Sequence, residues 1–209
     1  MEVRYFGSPS YVEDHSGEVL ELVKKWAREK GARKVVVASS TGKSALEAAR
    51  LLAGSGCELI VVSDRAGVAF KPDELYGEWA ERLRAEGVKE YRSGLFWRPE
   101  AVERLKALGI TKILVATELF RGINLPGCAN ANSVVAEVLY RLGVGLKVCV
   151  EIAIMACDAG YVEPGEEVIA VAGSGTGLDS AAVVSAAHSD EMFDKEKGFR
   201  IREIICKPR

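Results

Sequence analysis

The chain of 209 residues is 48% hydrophobic and 28% charged, and its formal net charge is −2 with histidine taken as neutral. These values predict a single globular domain spanning residues 1–209, and they exclude a disordered or fibrous chain. Acidic and basic residues alternate without a block of lysine and arginine, so we expect no nucleic acid among the partners.

The sequence also limits where the protein is expected to work. Residues 1–5 lack the basic segment and the long apolar stretch of a secretion signal. The longest apolar run, residues 148–157, is interrupted by Glu151 and is too short to cross a bilayer, so no membrane partner is expected.

The cysteines are scattered without a C-x-x-C pair, and only His15 and His188 could join them in a ligand set. Buried thiols in a reducing compartment are therefore predicted in preference to disulfides or a nucleophile, which indicates a cytoplasmic protein without a metal site. The cysteines are Cys57, Cys128, Cys149, Cys157 and Cys206.

Helices and strands are predicted to alternate from the start of the chain. Apolar residues at helical spacing follow Ser16, a candidate N-cap, and Gly31 is expected to end this helix. The β-branched run Lys34–Ala38 is typical of a strand buried on both faces of a parallel sheet. The next helix is predicted to begin near Lys43 and to end before Gly54.

The same alternation continues along the rest of the chain. Further strands are predicted at Glu58–Ser63, 89–92, 112–117, Glu167–Ala172, 180–187 and 201–206. Further helices are predicted to contain Leu75, Trp79 and Leu83, to begin at Pro99, to begin after a cap at Ser133, and to begin near Leu146. Repeated β-α-β order predicts an α/β fold with a mainly parallel sheet and a site at the carboxyl ends of its strands.

The strongest local signal for function is the strand-to-helix junction formed by Ser39, Ser40, Thr41, Gly42, Lys43 and Ser44. Hydroxyl groups, free backbone N–H groups and the helix dipole favour a phosphate there, while Gly42 would allow close backbone approach and Lys43 would neutralise charge. The alternative is a plain helix cap, in which Ser44 and Glu47 form a capping box. The loop by itself supports both interpretations equally.

Residues 42–44 also match the end of a Walker A motif, but that motif requires a glycine where Val37 stands. Val37 lies within the predicted strand, so the loop is too short for a nucleotide-hydrolysing P-loop. Asp64, at the end of the next strand, could imitate an acid that holds Mg²⁺, although a turn residue is the simpler interpretation.

A second glycine-rich segment consists of Gly173, Ser174, Gly175, Thr176 and Gly177. Its third glycine comes one residue too early for a dinucleotide-binding motif, and the segment that follows is strand-like. We therefore predict a turn between two strands. If this turn lies beside the first loop, its N–H groups and Thr176 could close over the same anion.

The strand-loop-helix of residues 35–45 and the strand-loop-strand of residues 168–186 resemble the carboxy-terminal domain of pyruvate kinases. In that domain the two equivalent loops form the effector site for a sugar bisphosphate. The whole chain is similar to a family of small stand-alone archaeal proteins described as pyruvate kinase C-terminal-domain-like, most clearly in residues 145–152 and 204–209.

The resemblance implies a three-layer α/β/α fold whose last sheet strand is antiparallel, and a phosphate pocket between the two loops. It implies no pyruvate kinase activity, because the catalytic barrel has no counterpart in this chain. It also implies that flavin mononucleotide (FMN) can occupy the pocket as a cofactor, with its phosphate at the first loop. Lys43 stands where the effector-binding domains carry arginine, which weakens the case for a bisphosphate.

Other charged residues receive a smaller role. Asp64 and the pair Thr117-Glu118 end two predicted strands and could touch the polar body of the ligand. Glu151 is expected to pair with Lys147 one turn earlier in its helix. His188 is followed by a serine and an aspartate, but adjacent residues cannot form a catalytic triad.

Three functions are consistent with these residues, and no catalytic residue is identified. The first is binding of a small phosphorylated molecule without transforming it, which the lack of a convincing acid-base pair favours. The second is an FMN-dependent oxidoreductase, in which the cofactor supplies the chemistry. The third is a sugar-phosphate-sensing or interaction protein that acts as a homo-oligomer.

Overall fold

The computed structural model describes residues 2–7, 13–74, 78–121 and 130–209. Its strands are β1 (Arg4–Phe6), β2 (Lys34–Ala38), β3 (Glu58–Ser63), β4 (Ala69–Phe70), β5 (Tyr91–Arg92), β6 (Ile113–Val115), β7 (Glu167–Ala172), β8 (Ser180–Ser185) and β9 (Arg200–Pro208). Its helices are α1 (Ser16–Lys30), α2 (Lys43–Leu51), α3 (Glu78–Ala85), α4 (Pro99–Ala107), α5 (Ala131–Tyr140) and α6 (Val144–Asp158).

The main sheet has the strand order β1-β9-β8-β7-β2-β3-β6, and β4 and β5 form a separate antiparallel pair. Strands β7, β2, β3 and β6 run parallel to one another, so their carboxyl ends lie at one edge of the sheet. Strand β8 is antiparallel to β7, and the last strand, β9, is antiparallel to β8. The predicted mainly parallel sheet with an antiparallel last pairing is confirmed.

Each face of the sheet is covered by helices, which confirms the three-layer α/β/α arrangement. Side chains alternate along β2, so that Val35 and Val37 pack with α1, α2 and α4 on one face while Val36 packs with α6 on the other. All three valines are buried. This two-sided burial explains why β2 is an uninterrupted β-branched run.

Helix α6 is the longest element on its face of the sheet, and it contains a buried ion pair. Lys147 Nζ lies 2.5 Å from Glu151 Oε2, with 10% and 4% of the two side chains exposed. Glu151 Oε1 accepts a hydrogen bond of 2.9 Å from the backbone N–H of Phe120. The predicted pairing is confirmed, and it also fixes the chain that follows β6.

Several helix boundaries differ from the sequence predictions. The described part of the helix around Leu83, α3, has 8 residues, and a 3₁₀ turn at Pro72–Glu74 lies before it in the chain. Leu75, assigned to that helix, lies outside the described residues. The cap of α5 is Asn130, whose side chain accepts the N–H of Ser133, so the prediction of a cap at Ser133 was wrong. Asn130 is preferred because its side chain can turn back onto the first helical turn.

Two strand predictions also change. The strand predicted at residues 89–92 contains only β5, which pairs with β4 and not with the main sheet. Strand β1 was not predicted, because 3 residues are too few to show a periodic pattern.

The thiol of Cys128 and most of the loop predicted between Phe120 and Asn132 lie outside the described residues. Within the described ranges, every helix is too short or too polar to cross a membrane.

The buried ion pair predicts an asymmetric response to mutation. Lys147→Met should lower the free energy of unfolding by about 3–5 kcal/mol, because it leaves the Glu151 carboxylate buried without its cation. The double variant Lys147→Met/Glu151→Gln should recover part of this loss, because an amide oxygen can still accept the Phe120 N–H bond. Urea unfolding followed by circular dichroism would measure both values.

The exposed pair Glu137–Arg141, which has the same i,i+4 spacing, provides the control. Arg141→Met should change the unfolding free energy by less than about 1 kcal/mol. Equal destabilisation by the single and double variants at residues 147 and 151 would show that the uncompensated charge is not the cause.

Candidate functional site

A cavity of about 530 Å³ lies at the carboxyl edge of the four parallel strands. This volume is within the range of small-molecule sites. Its wall contains both predicted loops, the ends of β3 and β6, and one side of α6. The parallel order β7-β2-β3-β6 accounts for this, since four strand ends are brought to one edge.

The structure brings together nearly all of the residues that the sequence singled out. Every residue of 39–44 and 173–177 lines the cavity except Gly42, and Asp64 lines it too. Thr117 is exposed and is not part of the wall, whereas its neighbour Glu118 is. Thr117 follows the end of β6 at Val115 and its exposed side chain lies outside the wall, so the prediction that it faces the pocket was wrong.

The Ser39 hydroxyl holds the first loop at the amino end of α2. Its Oγ accepts the backbone N–H groups of Gly42, at 3.1 Å, and of Ala45, at 3.3 Å. Gly42 is the N-cap residue of α2, so the predicted capping box of Ser44 and Glu47 was wrong. The Ser39 hydroxyl therefore occupies two N–H groups of the loop, while Ser40, Thr41 and Ser44 line the cavity.

Gly42 has a different role from the one predicted. Its backbone is left-handed, with φ of 86°, and a Cβ on it would lie 2.6 Å from the Cβ of Ala101 in α4. The glycine therefore allows α2 to approach α4. The expectation that it makes room for an anion was wrong, because Gly42 does not line the cavity and its missing side chain leaves room for Ala101 and Leu95 of the core.

Lys43 is paired within the protein. Its Nζ lies 2.6 Å from Asp14 Oδ2, and 67% of the lysine side chain is exposed. Burial raises the pKa of Asp14, but hydrogen bonds from Lys43 and Ser16 outweigh it, so the net pKa lies below the ordinary value. The hydrogen bond and the charge of Asp14 raise the pKa of Lys43. The cation next to the first loop is thus partly neutralised.

The start of α1 also holds the second loop. Ser16 Oγ accepts the N–H of Leu178 at 2.9 Å, and the N–H of Ser16 is in turn accepted by Asp14 Oδ1 at 3.0 Å. Asp14 and Ser16 therefore connect Lys43 of the first loop to Leu178, the residue that follows the second loop. No sequence signal indicates Asp14, which lies 29 residues from Lys43.

A buried carboxylate shapes the second loop from within. Asp179 accepts the backbone N–H of Ser174 at 2.9 Å and the hydroxyl of Ser180 at 2.7 Å. An acidic residue two positions after the last glycine of the turn was the available signal for it. With its backbone held in this way, Ser174 is buried, and no group in the described part of the chain hydrogen-bonds its Oγ.

The side of the cavity at β3 and β6 contains three more carboxylates. Asp64 accepts a short hydrogen bond from the hydroxyl of Ser93, and Glu151 is paired with Lys147. Glu118 Oε1 lies 3.4 Å from Arg121 Nε. Glu118 Oε2 is buried, and among the described residues it has no hydrogen-bond partner.

The cavity also has an apolar wall. Val148, Ile152 and Met155 of α6 contribute to it, together with Phe70 and Tyr91 from the β4–β5 pair. Burial raises the pKa of Tyr91, so its phenol stays protonated near neutral pH. The cavity thus combines hydroxyl-bearing loops with a surface suited to an apolar or aromatic group.

A cysteine and a histidine meet outside this cavity, at the end of α6. Cys157 Sγ lies 3.8 Å from His188 Nδ1, which is 3.3 Å from Asp158 Oδ1. Burial raises the pKa of the Cys157 thiol to about 11, and nearby acidic residues add to the effect. The thiol is therefore protonated at neutral pH and is a poor nucleophile. No group of three His, Cys, Asp or Glu side chains suited to a metal occurs in the described ranges.

The fold and the cavity together define an α/β domain with its site at the carboxyl ends of parallel strands. The family model of the pyruvate kinase alpha/beta domain matches residues 18–184. This match covers most of the chain, so the protein belongs to that family. It includes both cavity loops, whereas Asp14 and β9 lie outside it.

The packing of Gly42 can be tested against a second glycine with nearly the same backbone. Gly109 has φ of 83°, and a Cβ there would meet nothing within 4 Å. Gly109→Ala should cost about 1–2 kcal/mol of backbone strain. Gly42→Ala should cost about 1–3 kcal/mol more, because its methyl group would overlap with Ala101. Urea unfolding measures both, and equal losses would contradict the packing role of Gly42.

Proposed function

We propose that the protein binds a small phosphorylated ligand in this cavity, with the phosphate between the β2–α2 loop and the β7–β8 loop. The observation that carries the proposal is the Ser174 hydroxyl, which is buried in the cavity wall without a partner among the described residues. A buried hydroxyl normally has a hydrogen-bond partner, and a phosphate oxygen would accept a hydrogen bond from it.

The surroundings of Ser174 support an anion. Ser40, Thr41 and Ser44, which carry further hydroxyl groups, line the same cavity at the amino end of α2. The helix dipole favours a negative group at that end. The Lys43 ammonium is partly neutralised by Asp14, so the loops favour a single phosphate over a cluster of them.

The rest of the cavity supports a ligand larger than phosphate itself. Its apolar wall, formed by Val148, Ile152 and Met155, suits a flat ring system. We propose FMN as this ligand, because it joins one phosphate to a polar chain and a large ring. The chain would then supply the position of the ring and the exclusion of water around it, while the flavin would supply any redox chemistry.

Removing the Ser174 hydroxyl tests the phosphate position. Ser174→Ala should leave the unfolding free energy within about 0.5 kcal/mol of the wild type, because no hydrogen bond within the described residues is lost. The same change should weaken binding of inorganic phosphate and of FMN by about fivefold or more. Isothermal titration calorimetry measures the affinities, and urea unfolding measures the stability.

Ser185→Ala is the matched control, because Ser185 is also buried but donates its hydroxyl to the carbonyl of Gly165 at 3.2 Å. This variant should lose about 1 kcal/mol of stability and keep its affinity for both ligands. Unchanged affinity in Ser174→Ala would remove the proposed phosphate position.

The identity of the ligand has a direct spectroscopic test. Freshly purified protein should show flavin absorbance bands, and denaturation should release FMN in stoichiometric amount. Riboflavin, which lacks the phosphate, should bind at least about tenfold more weakly than FMN, because charge-assisted hydrogen bonds are lost. A colourless protein that does not take up added FMN would contradict the flavin assignment. The phosphate position would then be tested by the serine variants and inorganic phosphate alone.

A further inference from the structure

Glu118 lines the cavity, and only one of its two carboxylate oxygens faces a partner among the described residues. Its Oε1 faces Arg121 at 3.4 Å, while its Oε2 is buried without a partner in the described part of the chain. An ionised carboxylate can only accept hydrogen bonds. The group that Glu118 can receive is therefore a donor such as a hydroxyl or an N–H.

The other carboxylates in the wall differ from Glu118 in this respect. Glu151 uses both oxygens, one for the Lys147 ammonium and one for the N–H of Phe120. Asp64 accepts the hydroxyl of Ser93. Among the described residues of this wall, Glu118 is the carboxylate with a buried oxygen that lacks a donor.

The position of Glu118 places it well away from the proposed phosphate. It follows β6, and β3 separates β6 from β2 in the sheet. Strands lie about 4.8 Å apart, so the end of β6 is roughly 12 Å from a phosphate held between β7 and β2. A ligand whose phosphate lies between β7 and β2 would therefore need an extended organic part to reach Glu118. Glu118 would then contact the end of the ligand that is opposite the phosphate.

We infer that Glu118 accepts a hydrogen bond from a hydroxyl or N–H group in the non-phosphate half of the ligand, and that it thereby determines specificity. This inference rests on the proposed function. It assigns the ligand to the organic monophosphates that carry such a donor, and it disfavours bisphosphates. A second phosphate at this end would face the carboxylates of Asp64 and Glu118, because the cations Arg121 and Lys147 are already paired with Glu118 and Glu151.

The test compares inorganic phosphate with a panel of organic phosphates by isothermal titration calorimetry. The panel contains FMN, ribose 5-phosphate, fructose 6-phosphate and fructose 1,6-bisphosphate. In Glu118→Ala, the organic monophosphate that binds the wild type most tightly should lose about tenfold or more in affinity, as expected for a charge-assisted hydrogen bond. Inorganic phosphate should change by less than about twofold, because it would occupy the phosphate position, roughly 12 Å away, and would make no hydrogen bond with Glu118.

Two further variants keep the test decisive. Glu118→Gln preserves the side-chain volume and should also weaken binding of the organic monophosphate. This variant replaces Glu118→Ala in the test if Glu118→Ala does not fold. Glu137→Ala breaks the exposed pair with Arg141 and should leave all affinities unchanged. Circular dichroism would establish that each variant is folded before titration.

Several results would overturn the inference while leaving the proposed function intact. One is an equal loss for inorganic phosphate and for the organic monophosphate. Another is no loss at all in the folded Glu118 variants. A third is a fructose 1,6-bisphosphate affinity that exceeds that of fructose 6-phosphate by about tenfold, since the carboxylates should repel the second phosphate. If neither inorganic phosphate nor any organic phosphate binds the wild type, the proposed function fails, and the role of Glu118 fails with it.

Discussion

Strand β2 is hydrogen-bonded to a parallel neighbour on each edge, to β7 on one side and to β3 on the other. Its valines are also buried on both faces, so the strand has no freedom to shift in register. The position of residues 39–44 follows from this constraint, because the loop starts where the strand ends. The β7–β8 loop starts from the adjacent strand and is brought beside it. Pairing of the two loops is thus a consequence of backbone hydrogen bonding.

Charges around the cavity are arranged so that each loop is held before any ligand arrives. Asp14 offsets the charge of Lys43, and Asp179 holds the backbone of Ser174 from the buried side. Such fixed groups reduce the entropy lost when a ligand binds. They also limit the positive potential of the site, because each carboxylate cancels part of the field of a nearby cation. A site of this kind selects by the number and geometry of its donors more than by net charge.

The sequence predicts those features that depend on local pattern. Strand β2 has the predicted limits, Lys34–Ala38, because a short β-branched run fits only a strand buried on both faces. Features that depend on contacts between residues far apart in the chain cannot be predicted from local pattern. The partner of Lys43 is 29 residues away, and the space beside Gly42 is filled by Ala101 from another helix. Serine and glycine spacing indicated a loop for an anion, but only the fold shows that the Ser39 hydroxyl accepts the N–H groups of Gly42 and Ala45.

The distribution of hydrogen bonds in the wall favours recognition over proton transfer. A general base must have an oxygen or nitrogen free to take a proton from the ligand. Both oxygens of Glu151 are occupied by protein donors, and the phenol of Tyr91 has a raised pKa. The thiol of Cys157 lies outside the cavity and is protonated at neutral pH. Glu118 has a buried oxygen without a partner among the described residues, and in the proposed complex this oxygen would accept a hydrogen bond that orients the ligand.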